Sequence, residues 1–76
     1  MKNFVNYSVD IFSRMLSSEY SNYKRTHIIN YTFEVFATEF KIVTLIDNYV
    51  ASHVKNKTIS EKISNKIFNK LATKIC

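Results

Sequence analysis

Histidine is the side chain best suited to moving protons near neutral pH or holding a metal, and the chain has two, His27 and His53. They stand 26 positions apart. Along one helix that separation is about 40 Å, beyond the reach of a shared metal ion. The carboxylates Asp10, Glu19, Glu34, Glu39, Asp47 and Glu61 are scattered singly, with no pair at acid/base spacing. Phosphate-cradling loops need glycine, and there is none. No serine stands in a nucleophile-elbow context. Cys76 is the only cysteine and the last residue, so no internal disulfide or thiolate cluster can form, and prenylation would need three further residues. These absences lead us to expect a protein that is not an enzyme and uses no metal or cofactor.

Lysine supplies the chemistry that is left. Eleven Lys and Arg face six acids, a formal net charge of +5, and beyond residue 50 six lysines face one glutamate. Such a balance selects anionic partners. Double-stranded DNA is the expected one, because each neutralised phosphate releases counterions and favours binding without reading sequence.

The elements that must position these charges follow from composition and period. The 76 residues allow one domain, residues 1–76, which on folding buries only roughly 60% of the surface its unfolded chain exposes. With 46% hydrophobic residues, including six Phe and five Tyr, the apolar side chains exceed what three short helices hide, which implies a partner chain. The absence of Gly and Pro removes the usual helix stops and leaves caps and turns to Asn and Ser, as at Ser21, Asn22, Asn56 and Ser60. No apolar run is long enough to span a bilayer, and the N-terminus lacks the apolar core of a signal peptide, so the expectation is an intracellular protein in a reducing compartment. The Asn-x-Ser/Thr triplets at Asn6, Asn30 and Asn56 are then matches of composition only.

Three helices are expected. The first runs from Ser8, as cap, to Glu19, with Val9, Phe12, Met15 and Leu16 at helical spacing. After a polar break at Ser21 and Asn22, Thr26 caps a second helix that continues to Val54. It carries two apolar rows: Ile29, Phe33, Phe36, Phe40, Val43 and Val50, and Ile28, Val35, Ile42, Ile46 and Tyr49. So wide an apolar surface must be contacted from more than one side. A break at Lys55, Asn56 and Lys57 precedes Thr58-Ile59-Ser60-Glu61, which has capping-box spacing and opens the third helix. There Ile59, Ile63, Ile67, Leu71 and Ile75 form one row, and Lys62, Lys66, Lys70 and Lys74 the row beside it.

A short helix, a long helix and a short helix form the layout of the histone fold, and the chain resembles that family over residues 9–75. Within it the chain is most similar to the centromere protein X family. Phe12-Ser13-Arg14-Met15-Leu16 resembles the apolar-Ser-Arg-apolar-Leu pattern before the first loop, and Tyr20 the aromatic position that follows. Thr58–Ile63 with Ile67, Phe68 and Leu71 resembles the stretch leading into the last helix. The resemblance implies an all-α histone fold paired as a handshake dimer with a centromere protein S-like histone-fold chain. It also implies roles in kinetochore assembly and DNA repair in the nucleus, with a Fanconi anaemia M-type helicase as a further partner and no membrane. The partner interface would comprise Ile29, Phe33, Phe36, Phe40, Val43, Ile46 and Val50. DNA would be met at Lys24, Arg25, His27, Lys55, Lys57 and Lys62. Tyr20 and Tyr23 are expected to pack in the loop or against the partner rather than to stack on bases.

Two departures from the family are plain. Its loop Arg–Asp pair has only Lys57 and Glu61 as counterparts, and its acidic or neutral C-terminus is lysine-rich here. The competing classes are a small helical-bundle regulator or inhibitor that binds a protein target, and a helix lying on anionic membrane through its lysine and isoleucine rows.

Overall fold

A computed structural model describes residues 2–27 and 32–75, and the described residues are helical apart from the turns. Among the described residues four helices follow one another: α1 (Lys2–Thr26), α2 (Phe33–Glu39), α3 (Ile42–Ala51) and α4 (Lys57–Ile75). The expected order of short, long, short is therefore corrected to long, short, short, long.

α1 is twice the length anticipated because its apolar face does not stop at Leu16. Val5, Val9, Phe12, Leu16, Tyr20 and Tyr23 recur at three- and four-residue steps, and all are buried. Ser21 and Asn22 lie on the exposed side of this helix and do not break it. Ser8, expected as a cap, is wholly buried in mid-helix, where its Oγ donates to the Phe4 carbonyl at 2.7 Å. Thr26 ends α1 and does not begin the next helix.

The expected single helix over 26–54 is two helices within its described part. Lys41 breaks it, in the left-handed region at φ 54° and ψ 41°, at a cost of about 1–2 kcal/mol for a residue with a Cβ. The gain is in phase. In one straight helix the buried sets Phe33, Phe36, Ala37 and Ile42, Ile46, Val50 would face about 130° apart at 100° per residue. The turn at Phe40–Lys41 rotates both sets toward the same core. Each buried Phe or Ile contributes roughly 1.5–3 kcal/mol, so together these side chains outweigh one strained residue.

α2 and α3 run back along α1. Tyr20 and Tyr23, near the end of α1, pack on Phe36 with ring centroids 5.0 and 5.3 Å away, while Phe4 stacks on Tyr49 at 5.6 Å near the start of α1. α4 then runs in the same direction as α1. Its Lys70 Nζ donates to Asn6 Oδ1 at 3.4 Å, its Lys74 pairs with Asp10, and it ends beside Ser13 and Ser17. Its apolar row Ile63, Ile67 and Leu71 is buried against α1 and α3.

The caps compensate for the missing glycine. Thr32 caps α2, its Oγ1 accepting from the Val35 N–H at 3.3 Å. Asn56, not Thr58, caps α4, its Oδ1 accepting from the Ile59 N–H at 3.1 Å. The capping box gives way because the helix already starts at Lys57, which puts Thr58 inside the first turn. The C-termini of α1 and α3 share a device that the reading of the sequence misses: Tyr23-Lys24-Arg25-Thr26-His27 and Tyr49-Val50-Ala51-Ser52-His53. In both, histidine Nδ1 lies 2.9 Å from the carbonyl of the tyrosine four residues back. A carbonyl only accepts, so Nδ1 carries the proton. The spacing Asn-Tyr-x-x-(Thr/Ser)-His is the same in both, from Asn22 to His27 and from Asn48 to His53, and that repeat is the signal the sequence offers.

Candidate nucleic-acid interface

Eight of the eleven Lys and Arg fall into three groups. Lys24 and Arg25 close α1, where the Lys24 ammonium sits 4.8 Å from the centroid of the Tyr20 ring and Arg25 donates to Asn22 Oδ1 at 2.8 Å. His27 follows, its ring stacked on Tyr23 at 3.9 Å. Lys55 and Lys57 lie exposed at the junction of α3 and α4, next to His53, whose ring is 5.4 Å from Phe4. The first group is at one end of α1 and the second at the other, about 30 Å away by helix rise. A single chain does not bring these two loop groups together.

The third group is continuous. Lys62, Lys66, Lys70 and Lys74 are exposed along α4 and span about 18 Å of it. At i, i+4 spacing the row drifts about 40° per step, winding from solvent at Lys62 to the α1 flank at Lys74. There it meets Arg14, which with Ser13, Ser17, Lys74 and Ile75 lines a small hollow between the helices. Asp10 is the one acid in this neighbourhood. The hydrogen bond from Lys74 and the charge of Lys74 hold its carboxyl below the ordinary carboxylate range, and Arg14 adds to the effect. Of the row, only Lys62 was among the expected DNA contacts; the others were visible as an i, i+4 repeat but lay off the loops that the family resemblance favours.

Charge is segregated between the elements. α4 carries Lys57, Lys62, Lys66, Lys70 and Lys74 against Glu61, net +4; α2 and α3 with the turn between them carry Lys41 against Glu34, Glu39 and Asp47, net −2. Positive charge is thus concentrated on α4 and its flank on α1, while α2 and α3 are acidic.

Comparison with family models, with curated proteins and with solved structures finds no match for this chain. Its chemistry must be read from its own residues.

The expected partner-interface residues divide in the same way. Phe33, Phe36, Ile46 and Val50 are buried in the core of this single chain, against α1 and α4. Phe40 and Val43 remain 42% and 49% exposed, so a surface contact of the chain as folded would fall to them. Ile29 lies outside the described residues, as do Ile28, Asn30 and Cys76. Tyr20 and Tyr23 are packed in the core, where they cannot stack on bases without unfolding the end of α1.

Among the described residues no three His, Cys, Asp or Glu side chains converge as a metal site, and no helix is long and apolar enough to cross a membrane. A membrane-lying α4 would need its apolar row turned outward, and Ile63, Ile67 and Leu71 are buried instead.

Proposed function

We propose that this chain is a non-catalytic DNA-binding subunit that grips the phosphate backbone along α4 and its α1 flank, with little preference for sequence. The observation that carries the reading is the segregation of charge onto one side, net +4 on α4 against net −2 on α2 and α3 with their turn. About 18 Å of B-DNA presents about five phosphates per strand, a number that four lysines and Arg14 can meet. Lysine is a flexible point charge and the row contains no bidentate donor, so contacts to backbone outweigh contacts to base edges. The end clusters Lys24–Arg25 and Lys55–Lys57 extend the footprint where the duplex runs past the molecule. Kinetochore or repair work in the nucleus, and docking to a Fanconi anaemia M-type helicase, rest on the family resemblance.

Handshake pairing with a second histone-fold chain is the form of the proposal that this resemblance implies. It requires residues 33–51 to run as one helix, which here they do not. DNA binding is accordingly the part the geometry supports best, and a protein-targeting regulator has in its favour the exposed apolar side chains Val35, Phe40, Val43 and Leu45 on α2, α3 and their turn.

The test is a fluorescence-anisotropy titration of the whole chain against labelled duplexes of unrelated sequence, from about 50 to about 200 mM salt. Similar affinities for all duplexes, with a steep salt slope that falls when Lys62, Lys66, Lys70 and Lys74 are changed to Gln, are expected. Absence of binding by the unmodified chain at the lowest salt would overturn the reading.

A further inference from the structure

The exposed apolar side chains among the described residues lie in two settings. Val35, Phe40 and Val43 stand among the exposed acids Glu34, Glu39 and Asp47. Tyr7 and Met15, 63% and 56% exposed, lie on the outer side of α1, with the partly buried Ile11 between them. At 100° per residue Phe4, Tyr7, Ile11 and Met15 fall within about 80° of one another, so they form one stripe. α3 widens it. Tyr49 stacks on Phe4 at 5.6 Å, and its hydroxyl lies 3.1 Å from Ser8 Oγ. Leu45, exposed, sits one turn before Tyr49 on the same row, toward Met15. α4 meets α1 elsewhere, at Asn6 and Asp10, about 100° or more around the helix from Ile11. The stripe carries no charge along its length, and Arg14 at its edge makes no hydrogen bond or ion pair among the described residues.

A partner for this stripe must be apolar, uncharged at its centre and able to satisfy Arg14. A second copy of the chain meets all three conditions. We infer that two copies pair through the outer faces of α1 and α3, with their α1 helices antiparallel about a two-fold axis at Ile11. Ile11 then meets its own counterpart, and Tyr7 lies level with the partner's Met15. Small Ser18 lies level with the partner's Phe4, and an open hollow lined by Met15, Ser18, Asn22 and Arg25 leaves room there. Arg14 comes within one turn of the partner's Asp10. The Oδ1 atom of that carboxylate is taken by Lys74, which leaves Oδ2 to accept from the guanidinium. A two-fold pair uses the same patch twice, so self-complementarity of this kind is what it requires. Symmetric pairing at the α2–α3 turn would instead set Glu34, Glu39 and Asp47 against their like. The core, the turn at Lys41 and the outward lysines of α4 all stay as they are in the single chain.

The test uses no DNA, so its outcome is separate from that of the proposed binding. The whole chain is sized by light scattering from micromolar to millimolar concentration, beside Ile11→Lys, Met15→Lys and Val35→Lys. A dimer that grows with concentration is expected. Its dissociation constant should rise about tenfold or more with Ile11→Lys, which brings like charges together on the axis, and with Met15→Lys. Val35→Lys, on α2, should leave it unchanged. Circular dichroism at micromolar concentration should show all three variants as helical as the parent, since none of the three positions is buried. The register is read with cysteines in a Cys76→Ser background under a mild oxidant. Ile11→Cys should link two chains on a denaturing gel, and in a mixture Tyr7→Cys should link to Met15→Cys sooner than either links to itself. Monomers at every concentration, a dimer that Ile11→Lys leaves intact, or faster linking through Phe40→Cys than through Ile11→Cys would overturn the inference.

Discussion

α4 and the α2–α3 pair flank the same core, yet they do different work. α4 buries one apolar row and devotes its outer surface to lysine; α2 and α3 bury most of their large residues and keep an acidic exterior around a strained turn. Where charge dominates the surface, substitutions should alter binding and spare stability. Where burial dominates, they should do the opposite. Charge selects what the molecule touches, and the aromatic side decides whether there is a molecule at all.

The largest expected effect breaks the aromatic side. Phe36 is fully buried and packs on Tyr20, Tyr23, Phe33 and Phe40, so Phe36→Ala should destabilise by roughly 3–5 kcal/mol. Urea unfolding measures the loss, and the fraction still folded should bind DNA with its affinity unchanged. Phe40→Ala, at a half-exposed site, should lose under half as much. Equal losses at the two positions would mean that Phe40 is covered in solution.

The next effect sharpens the charged side. Changing Lys62, Lys66, Lys70 and Lys74 together to Gln should lower the urea midpoint only as far as losing the Lys74–Asp10 ion pair does. The salt slope of DNA binding should fall by about 0.9 for each phosphate that the variant no longer neutralises, about three or four in all. Removing Lys24, Arg25, Lys55 and Lys57 takes away as much charge from the two ends and should cost less affinity. If the end variant lost more, the duplex would lie across the loops and the row on α4 would be only a solvated face.

A third, smaller effect tests how α4 is started. Asn56→Ala removes the cap on the Ile59 N–H and should cost about 1 kcal/mol, while Thr58→Ala should be close to neutral. Thermal unfolding of the two variants side by side distinguishes them, and the reverse ranking would restore the capping box.

The smallest effect lies where charge and packing meet. Asp10 holds Lys74 away from any phosphate, so Asp10→Asn should tighten DNA binding a few-fold. The sign of the stability change with pH follows from its lowered pKa. The ion pair contributes above the unfolded carboxylate pKa and is lost as pH falls through the lower folded value. Asp10→Asn should therefore be slightly less stable than the parent at about pH 7 and indistinguishable from it near pH ~2, as urea midpoints at the two pH values would show. A loss of stability that persisted in acid would mean that Asp10 acts through packing.

Much of the helical character is readable from the sequence, and the misses have physical causes. α4 is found nearly where the lysine and isoleucine rows place it, because both rows repeat at i, i+4 along it, though Ile59 at the start of the apolar row is exposed. The turn at Lys41 is hidden because the usual markers, Gly and Pro, are absent from the chain. Its trace is present as two apolar rows on one supposed helix. In sequence such rows imply a surface for a partner, whereas one chain covers most of their described members by kinking and leaves Val35, Phe40 and Val43 exposed. α1 runs past its expected end at Glu19 because Ser21 and Asn22 resemble a break only in composition, and Tyr20 and Tyr23 continue the apolar step. For the proposed DNA site, the charge is legible in the sequence, and the family resemblance draws attention to the loops whereas the segregation of charge draws it to the outer face of the last helix.

α1 looks like one rod, but its two halves are held differently. α4 stops beside Ser13 and Ser17, so the part of the rod beyond Ser17 rests on α2, a helix of only 7 residues. Amide protons should register this as two exchange lifetimes along an unbroken helix. Those before Leu16 should wait for global opening, while those from Ser18 onward should escape whenever α2 lifts off. The end bearing Lys24 and Arg25 would then be a hinged tip, able to follow the curvature of whatever the rest of the molecule has grasped.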